Sequence, residues 1–268
     1  MEYRTLGRTG EKISTVGMGT WKIGVYSGLS ERAEQVRALR LGIELGCNLI
    51  DTAEMYANGR SEEVIAEAVG DLREAVFIAS KVSPENLHHD DVIAACNRSL
   101  KRLGTRYIDL YQVHWPNPAI PIRETMSAME DLVREGKVRY VGVSNFSVRQ
   151  TKEAEIALPK SELVSNQVEY SLANRSAEAR ILPYCEKEGL TLIAYTPLAK
   201  GRVPKELIPR AICAKYNVTP IQVMLNWVTR SESVVAIPKS ADVKHIEENM
   251  SSVACRFLDE EYSEIGRT

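Results

Sequence analysis

Gly46-Cys47-Asn48-Leu49-Ile50-Asp51-Thr52-Ala53-Glu54-Met55-Tyr56 shows in eleven residues the pattern that organises the whole chain. A glycine follows a helical run and precedes a short apolar run, Asn48–Asp51, which predicts a buried strand. Polar residues follow at once, because Asp51 ends the strand and Tyr56 lies in the next loop. In parallel sheets covered by helices, binding and catalytic residues gather where the strands end. This stretch therefore predicts one strand that leads into a functional site.

The same pattern recurs on both sides of this stretch. Short apolar runs, often β-branched, alternate with longer amphipathic runs, about every 25 to 42 residues, as expected for βα units of roughly 30 residues. The other predicted strands are Val16–Met18, Val76–Ser80, Ile108–Val113, Val138–Val143, Leu163–Gln167, Leu190–Ala194 and Val234–Ile237.

Helix boundaries are marked by residues with particular backbone preferences. Four glycines follow helical runs and precede strands, where a residue without Cβ can adopt positive φ and end a helix. They are Gly46, Gly104, Gly136 and Gly189. Ser61, which precedes two glutamates, is predicted to be the N-cap of a helix with acidic residues in its first turn.

Eight strands with helices between them predict an α/β fold built on a parallel sheet. A closed barrel and an open doubly wound sheet both fit this periodicity. A dinucleotide-binding turn would favour the open sheet, but the G-x-G-x-x-G pattern that begins at Gly17 fails at Lys22. Upstream, Tyr3–Leu6 and Lys12–Thr15 predict a β-hairpin that caps one end of the sheet. Without a linker or a shift in composition, residues 1–268 are predicted to form a single domain.

Composition narrows the class of protein. The 268 residues are 44% hydrophobic and 26% charged, with a net charge of −2, which is typical of a globular domain. The absence of a basic stripe argues against nucleic acid or an anionic membrane as a partner. Neither a membrane-length apolar run nor a signal-peptide core is present, so a cytoplasmic protein is expected. Five scattered cysteines without C-x-x-C argue against a disulfide framework or a metal site.

Four titratable residues lie at the ends of three successive predicted strands. Asp51 ends the second strand and Tyr56 follows it, while Lys81 and His114 end the third and fourth. Each alone has an ordinary structural explanation, such as a helix cap, a solvated charge or a packed side chain. At matching strand ends of a barrel, however, the four would converge on one cleft.

This set of residues suits proton transfer to a carbonyl oxygen. An ammonium at Lys81 is expected to lower the pKa of Tyr56, and Asp51 would keep the lysine charged and in place. His114 can hydrogen-bond the substrate oxygen, while Tyr56 acts as the general acid. Since no side chain donates hydride, a cofactor has to supply it.

Several stretches resemble the motifs of the aldo-keto reductase superfamily. They are Gly46–Tyr56, Val141–Phe146, Ile237–Ser240 and Gly19–Trp21, and the resemblance extends over essentially the whole chain. It implies a (β/α)₈ TIM barrel with an N-terminal β-hairpin cap. It also implies an NADPH-dependent oxidoreductase that reduces aldehydes and ketones to alcohols, with Asp51, Tyr56, Lys81 and His114 as the catalytic tetrad.

The resemblance also implies cofactor contacts. Ser144, Asn145 and Gln167 match residues that hydrogen-bond the nicotinamide carboxamide, and Tyr195 matches the aromatic residue that stacks on the ring. Pro197 and Leu198, just beyond Tyr195, belong to the same expected set. Lys239 and Ser240 match contacts to the 2′-phosphate of NADPH, and Glu248 and Asn249 match contacts to adenine.

One position departs from the family pattern. The family usually carries arginine six residues after the lysine of the phosphate motif, and this chain has His245 there. Arginine carries a permanent planar charge, whereas histidine is mostly neutral at pH 7. NADPH is the expected cofactor, with NADH also accepted because discrimination is weaker than is usual in the family.

Trp21 and Trp115 follow the first and fourth strands and are expected to line an apolar substrate pocket. The chain ends soon after Asp259–Ile265, so we expect an open pocket that accepts varied aldehydes, dicarbonyls or ketones. The family most often forms monomers, and a monomer is expected here.

The alternative to a carbonyl-reducing enzyme is a cofactor-binding regulatory subunit that senses redox state with little turnover. A metal-dependent hydrolase is disfavoured, because only four histidines are present and no H-x-H pair occurs.

Overall fold

A central parallel sheet of eight strands organises the computed structural model, which describes residues 1–266. Each strand overlaps one predicted from the sequence, with shifts of a few residues at the ends. The strands are β3 (Met18–Gly19), β4 (Leu49–Asp51), β5 (Phe77–Val82), β6 (Ile108–Val113), β7 (Val138–Ser144), β8 (Leu163–Glu169), β9 (Thr191–Tyr195) and β10 (Val234–Ala236).

The sheet closes on itself. Neighbouring strands pair in chain order from β3 to β10, and parallel bridges join Val16 to Ala236 and Gly19 to Lys239. The Gly19 amide donates to the Pro238 carbonyl at 3.0 Å across this seam. An open doubly wound sheet has two free edges, so these bridges exclude it and confirm the (β/α)₈ barrel.

Helices between the strands form the outer layer of the barrel, and apolar clusters fill the space between the two layers. The helices are α1 (Leu29–Glu44), α2 (Arg60–Val69), α3 (His89–Leu103), α4 (Ile122–Arg134), α5 (Val148–Ile156), α6 (Ile181–Glu188), α7 (Arg210–Tyr216), α8 (Pro220–Val228), α9 (Val243–Ser251) and α10 (Asp259–Glu264). Within residues 1–266, no helix is both long and apolar enough to span a bilayer.

The helix-ending glycines behave as predicted, whereas Ser61 does not. Gly46, Gly104, Gly136 and Gly189 all adopt positive φ. Helix α2 begins at Arg60 after Gly59, and Ser61 makes no cap. Its buried hydroxyl instead lies 2.9 Å from Thr20 Oγ1 and 3.0 Å from Thr52 Oγ1. The prediction of an N-cap was wrong because the hydroxyl joins the loops after β3 and β4.

The predicted N-terminal hairpin is present and closes the end of the barrel at which the strands begin. Its strands are β1 (Tyr3–Thr5) and β2 (Lys12–Ser14), paired antiparallel. The Arg4 guanidinium donates to the backbone carbonyls of Thr229 at 2.6 Å and Val234 at 2.8 Å. Leu6 and Ile13 belong to the apolar cluster inside the barrel. The opposite end of the barrel, where the strands finish, is the end at which the sequence predicts the functional residues.

Glycine at position 19 is predicted to be essential for closing the barrel. A Cβ there would lie 2.7 Å from the Ile237 carbonyl oxygen, so Gly19→Ala forces β3 away from β10. We expect a loss of about 2 kcal/mol in the free energy of unfolding, measured in urea. The control is Gly28→Ser at the N-cap of α1, where a Cβ meets nothing within 4 Å and serine is favoured. Equal stability of the two variants would contradict this account of the seam.

Candidate active site

The structure brings Asp51, Tyr56, Lys81 and His114 together at the end of the barrel where the strands finish. The centre is a buried ion pair, in which Lys81 Nζ donates to Asp51 Oδ1 at 2.6 Å. The same ammonium donates to the Thr52 carbonyl at 2.7 Å. Lys81 is 0% exposed and Asp51 is 2% exposed. Burial without pairing would be costly for either charge, so the two residues depend on each other.

Tyr56 lies beside this pair in a short 3₁₀ turn, Tyr56–Gly59, that follows β4. Lys81 Nζ is 5.2 Å from the centre of the Tyr56 ring. The ring meets the imidazole of His114 edge to face, with 5.7 Å between the ring centres. Left-handed backbone at Ala57 and Asn58, with φ of 50° and 56°, turns the chain sharply after the tyrosine. This turn keeps Tyr56 close to the strand end.

The pKa of Tyr56 is set by opposing effects. Burial raises it, the Lys81 ammonium lowers it, and the Asp51 carboxylate raises it again, so that the pKa lies above its ordinary value. The sequence predicted that Lys81 lowers this pKa, and it does, but burial outweighs the lysine and the net direction is upward. Burial lowers the pKa of Lys81, but Asp51 and Tyr56 raise it by more. Lys81 is therefore charged and Tyr56 protonated at neutral pH.

His114 is neutral in this setting. Burial, with a smaller contribution from Lys81, lowers the pKa of His114 to about 2. Its ring stacks on Trp115 with 4.0 Å between the ring centres and 18° between the planes. Nδ1 is buried and has no hydrogen-bond partner among residues 1–266. Since an N–H at Nδ1 would lack an acceptor there, we assign the single proton to Nε2.

The residues predicted to hold nicotinamide lie next to one another. Ser144 Oγ donates to the Gln167 carbonyl at 2.9 Å, and Asn145 Nδ2 donates to Ser144 Oγ at 3.1 Å. Tyr195 OH donates to Asn145 Oδ1 at 2.9 Å. Gln167 Nε2 donates to Asp51 Oδ2 at 2.7 Å. A continuous chain of hydrogen bonds thus runs from the expected cofactor residues to the buried ion pair.

The segment predicted to contact the phosphates follows the barrel seam. Lys239 bridges to Gly19, and Ser240 Oγ accepts from the Asp242 amide at 3.0 Å. Partial burial and the Lys22 ammonium both lower the pKa of Lys239. Two like charges close together are relieved by an anion, so this segment suits phosphate groups.

The remaining residues predicted to contact the cofactor lie in two parts of the chain. Pro197 is buried and Leu198 partly buried just after β9. His245 is exposed in the first turn of α9, where its backbone amide donates to Asp242 Oδ1 at 3.1 Å. Glu248 is partly buried on the same helix, and Asn249 is buried.

Large apolar side chains surround the mouth of the site. Trp21 is 52% exposed, Met55 44% and Trp115 39%, all in loops that follow β3, β4 and β6. Lys22 lies over the Trp21 ring at 4.7 Å. Exposed aromatic rings beside buried titratable groups are typical of a ligand pocket with an apolar wall.

Sequence reasoning missed two residues, one next to the ion pair and one next to Lys239. Gln112 Nε2 lies 3.4 Å from Asp51 Oδ2, and Lys22 neighbours Lys239. Gln112 is two residues before His114, so the period of a strand places both on one face, and this pattern would have revealed it. Among residues 1–266, no group of three or more His, Cys, Asp or Glu side chains is arranged to hold a metal ion.

Known proteins resemble this chain over nearly its whole length. The model of the Aldo/keto reductase family matches residues 15–267. Methylglyoxal reductase YeaE of Escherichia coli is 40% identical over 275 residues, covering 98% of this chain and 96% of that protein. The chain belongs to the aldo/keto reductase family.

Solved structures agree with this assignment. The thermostable aldo-keto reductase Tm1743, solved with the inhibitor epalrestat, superposes with a TM-score of 0.93 at 42% identity, covering 99% of both chains. An aldo/keto reductase from Klebsiella pneumoniae, solved with NADP and acetate, gives a TM-score of 0.89 at 36% identity. That match covers 99% of this chain and 94% of the other.

Removing either member of the buried pair is predicted to destabilise the fold. Lys81→Met leaves the Asp51 carboxylate without its cation, and Asp51→Asn leaves the ammonium unpaired. Each is expected to lower the free energy of unfolding in urea by about 3 kcal/mol. The double variant should lose clearly less than the sum of the two, because no unpaired charge remains. Additive losses would show that the two charges are not coupled.

Proposed function

We propose that this protein reduces aldehydes and ketones to alcohols with NADPH, and that short dicarbonyls are among its substrates. The observation that carries the proposal is the arrangement of Tyr56 beside the buried Lys81–Asp51 pair and the neutral ring of His114. Titratable groups whose surroundings give them different protonation states are typical of acid–base catalysis.

Tyr56 is the general acid in this proposal. It remains protonated at neutral pH because burial raises its pKa. As the carbonyl oxygen becomes an alkoxide, the phenol gives up its proton, and the Lys81 ammonium stabilises the phenolate that is left. Asp51 keeps Lys81 charged and fixed in place. His114, neutral and protonated on Nε2, donates a hydrogen bond to the same substrate oxygen and so orients it.

The side chains present fit a nicotinamide dinucleotide. Ser144, Asn145 and Gln167 would hold the carboxamide, since they offer hydroxyl and amide groups next to the tetrad. Tyr195 would stack on the ring. When bound, the cofactor supplies the hydride that the protein's own side chains lack.

The rest of the cofactor would lie along the seam of the barrel. Lys239 and Ser240 would bind the 2′-phosphate, and the lowered pKa of Lys239 beside Lys22 supports an anion there. Pro197 and Leu198 would line the path of the dinucleotide. Glu248 and Asn249 on α9 would contact adenine, next to His245.

The substrate class rests on the relatives and on the mouth of the site. YeaE is named a methylglyoxal reductase, as is DkgB of Escherichia coli O157:H7, which is 30% identical over 244 residues. The exposed rings of Trp21 and Trp115 would contact the apolar part of larger aldehydes.

Loss of the Tyr56 hydroxyl is predicted to abolish turnover without preventing cofactor binding. Tyr56→Phe should lower kcat for methylglyoxal by at least about 10³-fold, the scale of a lost general acid. Its Kd for NADPH, measured by tryptophan fluorescence, should remain within about twofold, since binding energy lies elsewhere. Wild-type protein that binds NADPH but reduces no member of a broad carbonyl panel would favour the regulatory subunit instead.

Arginine at position 245 is predicted to sharpen the choice of cofactor. His245 is exposed in the first turn of α9, so a longer, permanently charged side chain can reach a 2′-phosphate without disturbing packing. His245→Arg should raise the ratio of kcat/KM for NADPH over NADH by about tenfold, the effect of one charge-assisted contact. His245→Gln, which adds no charge, is the control. An unchanged ratio in His245→Arg would place the 2′-phosphate elsewhere.

A further inference from the structure

Gln112 is a buried polar residue to which the proposed mechanism gives no role. It lies in β6, paired in register with Lys81 of β5 on one side and Gly142 of β7 on the other. Its side chain is 0% exposed, which is unusual for glutamine. Its Oε1 has no hydrogen-bond partner among residues 1–266. An unpaired buried oxygen destabilises a fold, so an apolar side chain would suit stability better.

The other end of the same amide faces the ion pair. Gln112 Nε2 lies 3.4 Å from Asp51 Oδ2, and Gln167 Nε2 lies 2.7 Å from that oxygen. Lys81 Nζ donates to the other carboxylate oxygen, Oδ1, at 2.6 Å. The amide orientation follows from chemistry, because a reversed Gln112 would place its oxygen against the carboxylate. Asp51 is thus held by one ammonium and two amides.

We propose that Gln112 is a positioning residue for carbonyl reduction, which holds Asp51 Oδ2 together with Gln167 so that Oδ1 stays on Lys81 Nζ. This inference rests on the proposed function. A carboxylate held at one oxygen can turn about its Cβ–Cγ bond. Donors at the second oxygen prevent this rotation. Lys81 then keeps its position beside Tyr56.

Glycine at position 142 leaves space for the side chains around it, including that of Gln112. Gly142 is the register neighbour of Gln112, and a Cβ there would lie 3.0 Å from Gln112 Cγ and 2.5 Å from Ser165 Oγ. Any larger residue at position 142 would push Gln112 or Ser165 aside. The glycine therefore lets a long side chain reach across the interior to Asp51.

Two variants of Gln112 test the role. Gln112→Met keeps the length of the side chain and removes the donor. We expect kcat for methylglyoxal to fall on the order of tenfold, the effect of one hydrogen bond to a charged group. KM and the Kd for NADPH should stay within about twofold, because Gln112 is not among the proposed cofactor or substrate contacts. Urea unfolding checks that the variant is folded.

Gln112→Glu separates positioning from packing through its pH dependence. While protonated, the introduced carboxyl donates to Asp51 and should keep kcat near that of the wild type. Burial and the neighbouring carboxylate raise the pKa of the introduced carboxyl, so it loses its proton only when the pH is raised. Two like charges then face each other, and kcat should fall through an extra ionisation. The wild type should lack this step, because burial keeps Tyr56 protonated.

Ser165→Ala is the matched control. Ser165 is buried in the same register row as Gln112, and its Oγ has no partner among residues 1–266. The variant should keep the wild-type kcat. The role of Gln112 is overturned if Gln112→Met keeps full kcat, or if the pH profile of Gln112→Glu parallels the wild type. Wild-type protein without Tyr56-dependent turnover refutes the proposed function itself, and the role of Gln112 with it.

Discussion

The buried ion pair between Lys81 and Asp51 is the interaction on which the site depends. Both side chains are almost fully enclosed, where an unpaired charge would take a proton or lose one. Pairing at 2.6 Å offsets the desolvation of the two buried groups. The pair is completed by the Thr52 carbonyl and by amides from β6 and β8. Contacts within and to this charge pair thus connect side chains from four strands of the barrel.

The same pair connects two parts of the site that are separate in the sequence. Gln167 donates to Asp51, while its backbone carbonyl accepts from Ser144, which in turn accepts from Asn145. The buried ion pair and the proposed cofactor residues therefore share one hydrogen-bond network. Networks of this kind, when satisfied, hold each member in one arrangement. This network can form because the ends of neighbouring strands converge at one end of a barrel.

Much of the fold could be predicted from local patterns. The strand around Asp51 and the glycines that end helices depend on residues close together in the chain, and the structure agrees with both. Ser61 shows the limit of such patterns. Its sequence context favours a cap, but its hydroxyl bonds to Thr20 and Thr52 across two loops. For Gln112, the strand period places its side chain on the same face as His114, but only the structure shows that its amide lies 3.4 Å from Asp51 Oδ2.

By itself, the sequence determined the alternation of strands and helices and the chemical identity of the side chains at the strand ends. Both follow from periodicity and residue type, which are local properties. Tertiary structure decided the closure of the barrel at Gly19 and Lys239. It also decided that burial outweighs Lys81 in setting the pKa of Tyr56. Closure and pKa depend on distances and solvent exclusion between residues far apart in the chain, and only the packed barrel establishes these.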